Sequence, residues 1–273
     1  MTGENKDVTY VVTVDKGKFA KMALYQIKSI TQNDANSDIF VYITEDRGTN
    51  SITESQKEWI QEVAHVERGA VPIPEYPISA KTKAAAEATS KVDSEYLLVL
   101  DTDMLILDEM VVPTEKDLAM TPVNIGNQEW GKEEKQSDWK KLCEKYDIEY
   151  PDFSLTSTVD GRELTFPMYN VGVMFIRNGN FSKRWVRVEK EMYDEYGGFH
   201  FLHQIAASLL AADYGVKTLD EIYNYPMSLR YYCPPDVKIL HYHSFDMLRK
   251  VFHPKTKSKI EQTGITSEQN EWG

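Results

Sequence analysis

The sequence predicts an α/β fold in which a mixed, mostly parallel, Rossmann-like sheet is flanked by helices. β-Branched and apolar runs at 8–14 and 39–44 predict strands, and amphipathic patterns at 19–31 and 53–64 predict the helices that follow them. A third apolar run, at 96–100, is typical of a strand buried on both faces. Strands and helices that alternate at these lengths form parallel sheets, so the amino-terminal part is expected to be a βαβ unit.

Two carboxylates follow the third apolar run directly. Asp101 and Asp103 end this strand, and four more apolar residues come after them at 104–107. A lone buried carboxylate costs far more free energy than a strand gains, so both side chains are expected to face a cleft or a cation. In open α/β sheets, ligands bind at the carboxyl ends of the strands. Because Asp-x-Asp is common, a divalent-metal site and two solvated turn aspartates are both open interpretations of these residues alone.

Composition limits the classes of partner. The net charge of −12 and the pI near 5.0 disfavour nucleic acid or an anionic membrane surface as the main partner. An acidic protein needs a metal, or local Lys and backbone N–H groups, to hold a diphosphate. Cys143 and Cys233 lie far apart without a metal-ligand pattern, which favours a reducing compartment. No secretory signal or membrane-spanning run is visible, so a cytoplasmic location is expected.

The 273 residues are interpreted as one domain with two parts and a tail. Residues 1–125 form the βαβ part, and residues 126–253 form the second part of the same domain. The charged stretch 127–160 is interpreted as an insertion over the cleft. Residues 254–273 are polar and without an apolar stripe, and are expected to be a mobile tail.

A helix is predicted over 79–90, just before the Asp-x-Asp strand. Ser79 is a suitable N-cap residue, and the helix carries Lys81 and Lys83. Two positions apart on a helix, these lysines cannot both face one ligand.

Polar residues also mark the later strands. A strand over 171–176 is entered by Asn170 and contains Gly172, and glycine inside a strand indicates either close approach by a ligand or backbone, or a bulge. The final strand ends in His241 and His243, which share one face because they are two residues apart.

Two helices are predicted between these strands, over 181–196 and 201–214. On the second, His203 is expected to project away from the core stripe, with Gln204 on its flank.

Several strand ends therefore carry polar groups that converge on one cleft of a parallel sheet. Two carboxylates and an imidazole suit Mn²⁺ or Mg²⁺, and the absence of a cysteine from the set disfavours zinc.

These motifs resemble glycosyltransferase family 8, the glycogenin-like group with the GT-A fold, over residues 8–250 apart from the region 127–160. The resemblance implies transfer of a sugar from a nucleotide-diphosphate sugar, expected to be a UDP-sugar, to a hydroxyl of a glycan or other acceptor. The enzyme would be a hexosyl- or pentosyltransferase that uses Mn²⁺ or Mg²⁺ and retains the anomeric configuration.

The resemblance also implies roles for particular residues. The metal ligands would be Asp101, Asp103 and His241. The donor would be bound by Thr13, Val14, Asp15, Lys83, Asp101, Thr102, Asn170 and Gly172. The catalytic set would be Lys83, Asp103, Gln204 and His203. His203 stands where the family often carries an aspartate, which makes the acceptor side a departure from the family pattern.

Some assignments stay open at this point. His243 is the alternative to His241, and Lys81 is the alternative to Lys83. The acceptor proton could pass to His203 as a general base, or to the departing phosphate, which needs no protein base and is the preferred interpretation.

Two other functions remain alternatives to sugar transfer. A nucleotidyltransferase would need a richer glycine-containing basic loop than residues 15–18 offer, and a non-catalytic sugar-binding protein would not need the metal set. The oligomeric state is not fixed by the sequence, which is compatible with a homodimer.

Overall fold

The computed structural model describes residues 7–123, 130, 135–152, 154–155 and 164–265. Its strands are β1 (Val8–Val14), β2 (Asp38–Thr44), β3 (His65–Gly69), β4 (Tyr96–Leu100), β5 (Met104–Ile106), β6 (Leu118–Pro122), β7 (Ser154–Leu155), β8 (Leu164–Thr165), β9 (Tyr169–Arg177), β10 (Val216–Thr218), β11 (Tyr225–Pro226) and β12 (Ile239–His241). Its helices are α1 (Lys18–Asn33), α2 (Glu54–Val63), α3 (Ser79–Ala88), α4 (Gln136–Tyr146), α5 (Phe181–Tyr196), α6 (Leu202–Ala211), α7 (Phe245–Leu248) and α8 (Pro254–Gln262).

Seven strands form the main sheet in the order β10-β6-β9-β4-β1-β2-β3. All neighbouring pairs are parallel except those of β9, which runs antiparallel to both β4 and β6. The predicted mixed, mostly parallel sheet flanked by helices is thus confirmed. Because β9 is reversed, its first residues lie at the sheet edge where β1 and β4 end.

The chain leaves the main sheet immediately after β4. Asp101, Thr102 and Asp103 bridge to β5, which belongs to a second, three-stranded sheet of order β11-β12-β5. The Asp-x-Asp segment therefore lies at the junction of the two sheets, and each sheet fixes one end of it.

Apolar side chains fill both sides of the main sheet. On one side, Trp185, Val188 and Met192 of α5 are fully buried with α3 and α6. On the other side, Ile27 and Ile30 of α1 pack against the alternate side chains of β1 and β2. The helix predicted over 181–196 is confirmed with those bounds.

The start of α3 differs from the prediction. Ile78 is the residue at the N-cap, and the hydroxyl of Ser79 instead accepts a hydrogen bond from the backbone N–H of Ile73 at 3.1 Å. Ser79 therefore anchors the proline-interrupted segment before the helix rather than capping the helix.

Apolar residues of the charged stretch 127–160 pack into the core. Trp139 of α4 stacks on Phe166 with ring centroids 3.8 Å apart and donates from its indole N–H to the carbonyl of Trp130 at 2.8 Å. Residues 127–129, 131–134, 153 and 156–160, on which the prediction of an insertion also rests, lie outside the described residues.

The prediction of a mobile tail is wrong for residues 254–265, the first twelve residues of that segment. Residues 254–262 form α8, in which Thr256 is buried. Ile260 and Ile265 are buried in a cluster with Met22 and Tyr25 of α1. The sequence does not indicate this packing because the buried side chains, two isoleucines and one threonine, are separated by lysines. Residues 266–273 lie outside the described residues.

A buried carboxyl group lies between α5 and α3. Glu189 is fully buried, and its Oε2 lies 2.5 Å from the hydroxyl of Thr82. That hydroxyl also lies 2.8 Å from the carbonyl of Ser79, which can only accept. Thr82 has one hydrogen to give, so both contacts are satisfied when Glu189 is protonated and donates to Thr82. Burial accordingly raises the pKa of Glu189 to about 8.

The substitution Glu189→Gln should remove one pH-dependent contribution to stability. The folded-state pKa lies above the unfolded value, so the stabilisation is complete below about pH 4.5 and is lost as pH rises through about 8. We expect the melting temperature of the Gln variant, relative to the natural protein, to rise steadily between pH 5 and pH 8.5. Differential scanning fluorimetry of both proteins measures this difference, and a constant offset across that range would contradict a protonated Glu189.

Candidate active site

A cavity of about 670 Å³ opens at the carboxyl ends of β1 and β4. Both parts of the chain contribute to its walls. The residues that line it include Thr13, Asp15, Phe19, Arg47, Lys81, Asp101, Thr102, Asp103, Asn170, Gly172, His200, Phe201, His203, Gln204, His241 and His243. The predicted convergence of polar strand ends on one cleft is therefore observed, with Val14 and Lys83 as the two exceptions among the predicted residues.

Pairing of β5 with β12 brings His241 beside the aspartates. Met104 is the register partner of His241, and the N–H of Tyr242 donates to the carbonyl of Asp103 at 3.1 Å. One potential ligand atom from each of Asp101, Asp103 and His241 lies within 4.8 Å of the others. Among the described residues this is the group of side chains with metal-ligand spacing.

The imidazole of His241 is oriented by Asn224. Asn224 is fully buried, its amide N donates to the hydroxyl of Thr121 at 3.2 Å, and its Oδ1 lies 3.0 Å from Nδ1 of His241. Nδ1 therefore carries a hydrogen, and Nε2 is turned toward the aspartates. Nε2 lies 3.4 Å from Oδ2 of Asp103, close enough for both atoms to bind one cation. The donor set fits a divalent metal with oxygen and imidazole ligands.

His243 stands beside this set rather than in it. Its ring stacks on that of His241 with centroids 3.7 Å apart, and its backbone lies in the left-handed region with φ of 60°. This turn takes His243 out of the alternation of the strand, so the two histidines do not present equivalent nitrogens to the aspartates.

Of the two lysines on α3, Lys81 lies at the site, whereas Lys83 was expected there. Lys81 is buried and its ammonium donates to Oδ1 of Asp101 at 2.6 Å and to the carbonyl of Val171. Lys83 pairs with Glu87 on the outer side of the helix and does not line the cavity. The helix phase decides this, because α3 turns position 81 toward β4.

The ion pair keeps Asp101 charged. Burial by itself raises the pKa of this carboxyl, but the ammonium of Lys81 holds it well below its usual value. Asp101 is therefore ionised at neutral pH, and its second oxygen remains available on the cavity side.

Gly172 is required by crowding around Asp101. A Cβ at this position would lie 3.0 Å from Oδ2 of Asp101, 2.9 Å from Oδ1 of Asn170 and 2.7 Å from Cε of Met104. The register of β9 against β6 also shifts here, so close approach and a bulge occur together. Asn170 accepts from the N–H of Gly172 at 2.8 Å, which fixes the entry of β9.

The end of β1 forms the opposite wall. Asp15 receives two hydrogen bonds from the guanidinium of Arg47, at 2.8 and 3.1 Å. Thr13 is buried, lines the cavity, and its hydroxyl has no partner among the described residues. Val14 is fully buried in the core and does not line the cavity. An unpartnered hydroxyl at a cavity wall is a ready contact for a ligand.

His203 and Gln204 lie at the start of α6 and are buried, whereas an exposed His203 was expected. Nδ1 of His203 lies 2.8 Å from the hydroxyl of Tyr76. Burial, reinforced by the charge of Lys81, lowers the pKa of His203 to about 3, so the ring is neutral at physiological pH.

Three residues of the site were missed by sequence reasoning: Arg47, Tyr76 and Asn224. Each reaches the site from a loop or a short turn, where no periodicity indicates orientation. Asn224 stands between two tyrosines and has no spacing relation to His241, so only the three-dimensional contact identifies it.

Solved structures of similar fold are glycosyltransferases. GlyE from Streptococcus pneumoniae TIGR4 superposes with a TM-score of 0.54 at 13% identity, covering 96% of this chain and 60% of GlyE. The galactosyltransferase LgtC, solved with donor and acceptor sugar analogues, superposes with a TM-score of 0.51 at 13% identity, covering 97% of this chain and 98% of LgtC. This chain therefore spans about 60% of the length of GlyE. These superpositions show that the chain has the GT-A fold.

The family follows from the sequence itself. A family model described as "Rhodobacterales glycosyltransferase domain" matches residues 10–215, which is most of the chain. The chain belongs to this family of glycosyltransferases, and the nucleotidyltransferase and the non-catalytic binding protein are thereby set aside. No curated protein matches the sequence at a significant level. None of the described helices is long and apolar enough to cross a membrane.

The substitution Gly172→Ala should destabilise the fold and displace Asp101. The added methyl group overlaps three side chains, and overpacking of this kind costs about 1–3 kcal/mol. Gly179→Ala is the matched control, because its methyl group would meet only the carbonyl of Arg177 at 3.8 Å. Chemical denaturation measures both free energies of unfolding, and equal values for the two variants would contradict the crowding at Gly172.

Proposed function

We propose that this glycosyltransferase moves a sugar from a nucleoside-diphosphate sugar, a UDP-sugar in particular, to an acceptor hydroxyl with the help of Mn²⁺ or Mg²⁺. The observation that carries the proposal is the group of Asp101, Asp103 and His241 at the edge of a cavity large enough for a nucleotide sugar. The proposal includes retention of configuration and membership of glycosyltransferase family 8, both supported by the motifs in the sequence.

The proposed metal ligands are Asp101, Asp103 and His241. A bound divalent cation would stabilise the charge that develops on the departing diphosphate, acting as Lewis acid and template. Asp101 and Asp103 supply oxygens, and Asn224 keeps the lone pair of His241 aimed at them. Together they let an acidic protein bind an anionic donor.

Lys81 is proposed for the donor-binding role that the family resemblance implied for Lys83. Its ammonium is within hydrogen-bond distance of Asp101 and of the Val171 carbonyl, at the wall shared with Asn170 and Gly172. A buried, fixed cation at this wall offsets negative charge on the donor and holds Asp101 in place. Lys83, which faces Glu87, is not proposed as a donor contact.

The nucleoside is proposed to lie against the end of β1. The unpartnered hydroxyl of Thr13 and the Asp15–Arg47 pair offer polar contacts to a base, and Phe19 offers an aromatic face. Thr102, between the two aspartates in sequence, also lines the cavity and is proposed to contact the ribose.

The acceptor side favours a mechanism without a protein base. With a pKa of about 3, His203 is a weak base at neutral pH, and its Nδ1 is engaged with Tyr76. His203 and Gln204 are therefore proposed to orient hydroxyl groups by hydrogen bonding, while the departing phosphate takes the acceptor proton. An active-site glutamine is also present in LgtC, where it has been replaced by glutamate, and this supports the role of Gln204.

The substitution Asp103→Asn should abolish metal binding and sugar transfer together. An amide oxygen carries no charge to hold a divalent cation, so we expect Mn²⁺ affinity to fall at least tenfold. Titration followed by electron paramagnetic resonance of Mn²⁺ reports binding, and release of nucleoside diphosphate from a panel of UDP-sugars reports turnover. Asp194→Asn, on the exposed side of α5, is the matched control.

Full turnover by the Asp103→Asn variant, or by the natural protein in a chelator, would remove the metal from the proposal. Mn²⁺ binding without turnover of any nucleotide sugar would retain the metal site and reject the donor class.

Asn224 should govern metal affinity without touching the metal. Asn224→Ala deprives Nδ1 of His241 of its acceptor, and loss of such outer contacts costs about 10–100-fold in affinity. Asn224→Asp keeps the acceptor and should restore binding. The same Mn²⁺ titration measures both, with circular dichroism to confirm folding. Equal losses in the two variants would show that Asn224 acts only through the packing around Thr121.

A further inference from the structure

One face of the protein is positively charged although the chain is acidic. It consists of residues 16–33, which include α1, and residues 245–265, which include α7 and α8; we refer to these two segments as the basic face. They contain nine Lys and Arg residues and two carboxylates, so they carry a net charge of +7 while the whole chain carries −12. Charge is thus segregated, with −19 on the remainder of the chain.

The two segments form one continuous surface. Phe245 packs edge-on against Tyr25 with ring centroids 5.8 Å apart, and the ammonium of Lys21 lies 5.5 Å from the centre of the Phe245 ring. At the far end, the side-chain amide of Gln32 donates to the carbonyl of Gln262 at 2.8 Å. Lysines at 18, 21 and 28 share one side of α1 because of helical spacing, so their charges add to those of the second segment.

An exposed aromatic residue lies within this positive charge. Phe252 is 72% exposed and stands between Arg249-Lys250 on one side and Lys255 and Lys257 on the other. Its neighbour Val251 is buried in the core, so the segment is anchored while the phenyl ring faces outward. Cations around an exposed aromatic ring are typical of segments that bind at the membrane interface.

The basic face borders the mouth of the cavity. Phe19, in the first turn of α1, lines the cavity and is 43% exposed. His243, which also lines the cavity, precedes the second segment by two residues. A surface that covered the basic face would therefore lie next to the opening through which substrates enter.

We propose that the basic face docks on the surface of an anionic phospholipid bilayer, with Phe252 entering the headgroup region. The attachment is peripheral and reversible. Charges more than about 10 Å away are screened at 0.1 M salt, so the acidic remainder of the protein does not prevent it. The net charge disfavours an anionic membrane as a partner, but the net charge does not show this segregation. A soluble polyanion would use the same lysines but would leave the exposure of Phe252 without a role.

Vesicle sedimentation tests the proposal without any donor sugar, so its outcome is independent of the proposed function. The full chain is mixed with vesicles of phosphatidylcholine alone or with about a third phosphatidylglycerol, at 50 and 500 mM NaCl. We expect sedimentation only with the anionic vesicles and only at the lower salt concentration. We expect the triple substitution Lys250→Gln, Lys255→Gln and Lys257→Gln to weaken binding at least tenfold, and Phe252→Ala to weaken it severalfold.

The matched control is the triple substitution Lys141→Gln, Lys183→Gln and Lys190→Gln, which removes the same charge from exposed positions on α4 and α5. This control should bind like the natural protein. Absence of sedimentation at 50 mM NaCl, equal binding to neutral vesicles, or equal losses in the two triple variants would overturn the proposal. So would binding to inorganic polyphosphate that requires the basic face while vesicle binding does not.

Discussion

The antiparallel pairing of β5 with β12 is the constraint on which the candidate site depends. It places His241 opposite Met104, so that the imidazole and the Asp103 carboxylate meet without help from a flexible loop. Polar side chains of α1 hold the same segment from behind: Gln26 donates to the carbonyl of Asp101 at 2.6 Å, and the hydroxyl of Ser29 accepts from the N–H of Ile106 at 2.9 Å. The positions of the candidate ligand atoms are thus set by hydrogen bonds to the backbone of this segment, which is how a site is held in place before a ligand binds.

Electrostatics in this protein is organised locally rather than by net charge. At the site, Lys81 compensates Asp101 and keeps it ionised, while Asp103 has no Lys or Arg partner among the described residues. This imbalance is what makes the edge of the cavity suited to a cation. On the outside, α1 and α8 carry many lysines, while in the chain outside the basic face carboxylates outnumber Lys and Arg. The net charge of −12 therefore describes neither the candidate site nor the basic face.

Most of the fold could be predicted because its elements have clear periodicity. The buried runs of β1, β2 and β4 and the stripe of α5 were recognised within a few residues of their ends. Four residues that the sequence places at strand ends, Asp101, Asp103, Asn170 and His241, do line one cavity. Sequence patterns did not predict the contacts that depend on helix phase or on loop conformation. These are the choice of Lys81 over Lys83, the burial of His203 against Tyr76, and the contact of Asn224 with His241. These contacts depend on tertiary packing, which local pattern does not encode.

The docking of α8 on α1 has a consequence for how the enzyme matures. Gln32 and Gln262 are 230 residues apart in sequence, and Ile260 and Ile265 complete the apolar cluster that also contains Leu105 of β5 and Leu240 of β12. During synthesis the main sheet has its central strands long before this cluster can close. Contacts of such sequence separation form late, because loop closure must be completed before they are gained. The main sheet can thus assemble on a nascent chain in which Asp103 and His241 are not yet held together, and the candidate site is completed in a later step of folding.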